Sequence, residues 1–125
     1  MTLSVLIVED EVIIGLLLCD LLTDMGHEVC AIATTASEAV AAALKYRPGL
    51  MIVDVNLGAD SGIAAADAIR AVARIPCIFV SGDEAVLATL ASRDEVMPKP
   101  YQQRDVERAI AGALGPRRGP SRQRP

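Results

Sequence analysis

Five short apolar runs, at residues 3–8, 29–33, 50–55, 77–80 and 96–97, alternate with stretches of helical periodicity. This alternation constrains the fold more than any other property of the chain. The first run is broken only by Ser4, the pattern of a strand covered on both faces, which implies a parallel sheet between layers of helix. Strand-then-helix units joined by right-handed crossovers give an α/β, doubly wound, five-stranded parallel sheet, with expected strand order 2-1-3-4-5. In such sheets ligands bind outside the carboxyl ends of the strands, beside the point where the order reverses.

The intervening segments supply the helices. Residues 12–25 carry apolar side chains at 12, 13, 16, 17, 21 and 22, with Gly26 as the stop. The apolar run 12–19 ends at Asp20, well short of the roughly 20 residues that span a bilayer; it reads as a buried helix face. Thr35 or Ser37 can cap a helix that ends before Arg47-Pro48-Gly49. After a loop at 56–62, the alanine-rich segment 63–74 forms a third helix, closed by Pro76. Residues 85–92 make a short helix, and 105–114 a last one with Val106, Ala109, Ile110 and Ala113 on one face.

With 125 residues, 52% hydrophobic and 22% charged, the chain fits one compact domain over 1–114. Four of its 12 Lys and Arg, namely Arg117, Arg118, Arg122 and Arg124, lie in 115–125, a segment without acids. Residues 1–114 thus carry eight positive against 16 negative groups. The basic tail 115–125 has no apolar residue to hold it to a core and reads as disordered and solvated. The N-terminus lacks a basic, apolar leader, so a cytoplasmic location is expected. Cys19, Cys30 and Cys77 are unpatterned and read as reduced core thiols, and the lone His27 as a residue at a helix end.

The ends of the apolar runs carry the chemistry: Glu9 and Asp10, then Asp54, Ser81 and Lys99. If the first and third strands are neighbours, three carboxylates converge and repel by several kcal/mol at intermediate dielectric. A hard divalent cation, magnesium or manganese, removes that conflict, with Asp10, Asp54 and the Asn56 backbone carbonyl as ligands and Glu9 acting through water. Asp54 is then placed as a nucleophile toward a phosphoryl group, while Ser81 and Lys99 stabilise charge on its oxygens. Gly82 leaves room for that group, and a cis bond before Pro100 would turn the Lys99 loop inward. Acids at strand ends also serve as helix caps, and Asp10 or Glu11 capping the next helix is the plain alternative.

The segments Leu6-Ile7-Val8-Glu9-Asp10-Glu11, Ile52-Val53-Asp54-Val55-Asn56-Leu57, Phe79-Val80-Ser81-Gly82 and Met97-Pro98-Lys99-Pro100-Tyr101 together resemble the receiver domain of bacterial two-component response regulators, of the stand-alone type. The resemblance covers residues 3–114. It implies a flavodoxin-like (βα)5 fold and phosphorylation of Asp54 by a histidine kinase or histidine phosphotransfer protein. It also implies an acidic pocket of Glu9 and Asp10, a hydroxyl switch at Ser81 and the essential lysine at Lys99. The chain departs from the family in two places: Gly58 stands where most receivers have proline, and Val96 where the switch aromatic usually lies. These departures, with the strand 4 and lysine motifs, resemble an alphaproteobacterial subgroup whose strand 4 motif reads Phe-x-Thr-Gly.

The expected function is a single-domain response regulator, not an enzyme beyond its own phosphorylation and dephosphorylation. It would signal to an unknown downstream protein through a phosphorylation-dependent surface, with no direct DNA binding and no membrane span. The alternatives are a phosphorylation-independent interaction module (a pseudo-receiver), a phosphate sink, or, from another class, an aspartate-nucleophile phosphatase or a flavin protein. Asn56 stands where such a phosphatase carries its second aspartate, and Glu9-Asp10-Glu11 repels a flavin phosphate.

Overall fold

A computed structural model of the chain describes residues 2–115. Its elements are β1 (Ser4–Val8), α1 (Val12–Asp24), β2 (Glu28–Ala33), α2 (Ala36–Tyr46), β3 (Leu50–Asp54), β4 (Asn56–Leu57), β5 (Asp60–Ser61), α3 (Gly62–Arg70), β6 (Cys77–Ser81), α4 (Glu84–Leu90), β7 (Glu95–Pro98) and α5 (Gln103–Leu114). One sheet runs β2-β1-β3-β6-β7 with every pairing parallel. These are the five strands expected from sequence, in the order 2-1-3-4-5. The segment taken as a loop instead forms a two-stranded antiparallel hairpin, β4 with β5, outside the sheet. The expected tail falls almost wholly on 116–125, outside the described residues.

Alternation along the strands builds two cores. Leu6, Val8, Met51, Val53 and Phe79 pack with Ala39 and Ala43 of α2 and Ala65, Ala66 and Ile69 of α3. Val5, Ile7, Ile52, Ile78 and Val80 point the other way, onto Leu18 and Leu22 of α1 and Val106, Ala109 and Ile110 of α5. With both faces covered, the central strands β1, β3 and β6 are apolar apart from Ser4, Asp54 and Ser81 at their ends. Small residues keep the helices close: a Cβ at Gly15 would sit 3.1 Å from Ile32.

The caps follow local chemistry. Thr35 caps α2 by accepting from the Glu38 N–H at 3.2 Å, and Asp83 caps α4 by accepting from Ala85 N–H at 2.9 Å. Gly26, at φ +91°, follows the end of α1. His27 lies in the turn after it, where its Nδ1 accepts from the Leu3 N–H at 3.1 Å. All three cysteines are free; Cys77 is buried and the others half-buried.

The reading of α1 as a buried face needs correction. Val12, Ile13, Leu16 and Leu17 are 61%, 71%, 52% and 61% exposed, while Gly15, Leu18 and Leu22 face the sheet. Every position from 12 to 18 is apolar or glycine, so periodicity could not choose the buried side. No helix among the described residues is long and apolar enough to cross a membrane. The helix expected over 63–74 ends early, at Arg70.

Candidate functional site

Strand register brings the polar ends together. Val8 lies opposite Val53, so Glu9 and Asp54 follow at the same level. Asp54 lies opposite Val80 and Ser81 opposite Pro98, which sets Ser81 and Lys99 just beyond. The Lys99 N–H donates to the Ser81 carbonyl at 3.0 Å, and the Lys99–Pro100 peptide is cis. The chain at Lys99 thus stays attached to the sheet while its side chain turns toward β1 and β3.

Lys99 Nζ bonds Asp54 Oδ2 and lies 3.2 Å from Glu9 Oε1. Asp54 Oδ1 accepts from the Asn56 N–H at 2.8 Å, and Glu9 Oε2 from the Glu11 N–H at 3.2 Å. Glu9, Asp10 and Asp54 each present a carboxylate oxygen within 4.8 Å of the others. Burial, reinforced by the Asp54 charge and opposed by the Glu11 N–H and Lys99, pushes the Glu9 carboxyl up to about 7. Burial works against the Lys99 ammonium too, but the Asp54 and Glu9 carboxylates outweigh it and hold the lysine above its ordinary value.

Glu9 and Asp54 are buried, yet one cation faces three acids. That imbalance, on hard oxygen donors alone, fits a divalent cation such as magnesium. The helix-cap alternative for Asp10 or Glu11 fails here: Glu11 is the N-cap residue of α1, and its side chain makes no cap hydrogen bond.

Asp10 and Asp54 open on a cavity of about 580 Å³ lined also by Val55, Asn56, Gly58, Ser81, Gly82 and Lys99. Ser81 Oγ accepts from the Asp83 N–H at 3.0 Å, which leaves its own proton free to donate into the cavity. A Cβ at Gly82 would meet nothing within 4 Å, whereas one at Gly58 would sit 3.1 Å from Asp10 Oδ2. Glu9, Asp10, Asp54, Ser81 and Lys99 therefore all gather at one site, with Asn56 on its wall.

The departures also have a place in the fold. Val96 pairs with Phe79 in the ladder and packs half-buried in the α2–α3 core. Tyr101 packs half-buried against the α1–α5 core, where burial and then the nearby Glu9 charge raise its phenol. Two features escaped the sequence reading. The exposed face of α1 starts two residues past Asp10. In the hairpin, Gly58 takes φ +68° as the first of its two turn residues; a glycine followed by one residue between paired dipeptides was the available signal.

Comparison with known proteins agrees with this arrangement. The model of the response regulator receiver domain matches residues 5–111. The phyllosphere-induced regulator PhyR of Methylorubrum extorquens is 34% identical over 119 residues, covering 91% of this chain and 44% of that protein. The chemotaxis protein CheY of Thermotoga maritima is 30% identical over 111 residues, 85% of this chain and 92% of CheY. Among solved structures, the receiver domain of Erythrobacter litoralis PhyR superposes with TM-score 0.82 at 33% identity, covering 95% of each chain. The anti-anti-sigma factor PhyR of Bartonella quintana gives TM-score 0.82 at 32% identity over 91% of this chain and 48% of that one. The chain thus spans about half the length of the full-length PhyR proteins it matches and nearly all of a lone receiver. The strand-end cluster, the sheet that assembles it and these matches lead to one conclusion: the chain belongs to the response regulator receiver domain family.

Proposed function

We propose that this receiver accepts a phosphoryl group on Asp54 from a phosphohistidine of a histidine kinase or phosphotransfer protein. The observation that carries the reading is Lys99 lodged against both Asp54 and Glu9, with Asp10 as a third acid at the rim of an open cavity. A carboxylate oxygen of Asp54 attacks phosphorus; the new P–O bond forms as the P–N bond of the donor breaks, and the imidazole leaves carrying a proton. Lys99 Nζ and the Ser81 hydroxyl donate to the phosphoryl oxygens. Glu9, Asp10, Asp54 and the Asn56 carbonyl would hold magnesium or manganese, which supplies charge neutralisation on those oxygens when bound.

The outcome is a change in affinity for a partner protein. A protein donor is supported by the exposed apolar face of α1, which begins at Val12, next to Glu11 on the cavity wall. The three free thiols, Cys77 buried and Cys19 and Cys30 half-buried, suit a reducing, cytoplasmic setting. The test is incubation with acetyl phosphate, with and without magnesium, read by intact mass. Uptake of one phosphoryl group that needs magnesium and vanishes in Asp54→Asn is expected; undiminished uptake in Asp54→Asn overturns the assignment.

A second reading, an interaction module indifferent to phosphorylation, has one observation in its favour. Val96 is locked in the core beside Phe79 and offers no ring that could rotate in response to Ser81. Partner binding unaltered by a phosphoryl mimic with magnesium would favour it.

A further inference from the structure

With no ring at position 96, the described contacts offer another way out of the site, on the opposite flank of Asp54. Asp54 Oδ1 accepts from the Asn56 N–H, and Asn56 Oδ1 in turn accepts from the Gly58 N–H at 3.2 Å. Gly58 opens the hairpin turn against Asp10, and Leu57 pairs with Asp60 across the hairpin. Asp60 Oδ2 then accepts from the Ala36 N–H, the first amide of α2, at 2.9 Å.

We infer that the β4–β5 hairpin is a relay that couples the charge state of Asp54 to the Asp60–Ala36 contact at the start of α2. The inference rests on Asp54 being the phosphoryl acceptor. Acyl-phosphate formation removes the carboxylate charge that holds the Asn56 N–H and supplies phosphoryl oxygens as competing acceptors, so the base of the hairpin shifts. The hairpin is short and pinned at both ends, at Asn56 and at Asp60. A shift at its base therefore loads the Asp60–Ala36 bond.

That bond can open without unfolding α2. The helix keeps Thr35 as its cap, and Glu38 Oε1 accepts from both the Thr34 N–H and its hydroxyl at 2.8 Å. These remaining bonds make the contact a two-state element that phosphorylation can bias. The signal would then leave through the α2 flank of the sheet and the surface that α2 shares with the hairpin.

The experiment is residue-resolved amide exchange on the full chain, held phosphorylated by excess acetyl phosphate and magnesium, with intact mass recorded on the same sample. The Ala36 amide is expected to exchange about fivefold faster or more on phosphorylation, with the Glu38 amide unchanged. In Asp60→Ala the Ala36 amide should exchange fast in both states while phosphoryl uptake is kept. If that variant is unstable, Asp60→Asn, which retains an acceptor oxygen without its charge, should give a smaller response. Full phosphorylation with Ala36 exchange unaltered, or a response that persists in Asp60→Ala, overturns the relay alone. Absence of phosphoryl uptake overturns the parent reading and the relay with it.

Discussion

At the residue scale the site is a balance of three carboxylates against one ammonium. Removing the cation by Lys99→Ala leaves the acids to repel one another, so magnesium should bind several-fold more tightly, while phosphoryl uptake falls by at least about tenfold because a donor to the phosphoryl oxygens is gone. Calorimetric titration and intact mass read the two effects separately. Glu9 adds a pH dependence. Its folded-state pKa of about 7 lies above the ordinary 4.5, so the metal-free fold binds that proton more tightly than the unfolded chain does. The stabilisation is present in full below 4.5 and is lost as pH rises through about 7. Denaturant midpoints in chelator should fall between about pH 5 and about pH 8 through this group, and magnesium affinity should rise over the same interval as the competing proton leaves.

At the element scale the loop from β3 to α3 decides how Asp54 is presented. The Gly62 N–H donates to the Val55 carbonyl at 2.8 Å, and a Cβ at Gly62 would collide with the Asp54 carbonyl oxygen. Gly62→Ala should therefore cost about 2 kcal/mol or more in urea unfolding and slow phosphoryl uptake, because relief requires moving the Asp54 backbone. Gly58, at φ +68°, cannot become proline without rebuilding the hairpin, since proline is confined near φ −65°. The family's usual proline is excluded by this turn. On α2, Thr35→Ala should cost about 1 kcal/mol through the lost cap, with magnesium binding untouched. Thermal unfolding and metal titration together check that separation.

At the scale of the whole molecule, the apolar face of α1 begins at Val12, one residue past Glu11 on the cavity wall. Charging it with Leu16→Lys should leave stability nearly unchanged, since the side chain is exposed, and leave uptake from acetyl phosphate intact. Transfer from a protein donor should slow by about tenfold or more, as for other central contacts of an interface. Equal rates from both donors would remove α1 from the docking surface. Much of this molecule was legible beforehand. Strand order, the gathering of Glu9, Asp10, Asp54, Ser81 and Lys99, a cap for α2 at Thr35 or Ser37 and the stop at Gly26 follow from local rules: alternation, chirality of crossovers and the chemistry of chain ends. The orientation of α1 was not legible, because seven consecutive apolar or glycine positions carry no phase; the close fit of Gly15 against Ile32, with Leu18 and Leu22 buried beside it, selects one. The hairpin was hidden because two-residue strands are too short for periodicity. Sequence alone thus determined the fold class and which residues meet at the sheet edge, since both follow from the order of elements along the chain. Tertiary structure decided which face of α1 meets solvent, how Lys99 divides its charge between Glu9 and Asp54, and that Asp60 ties the hairpin after Asp54 to α2. Each of those depends on distances between residues far apart in sequence, and no local pattern encodes such distances.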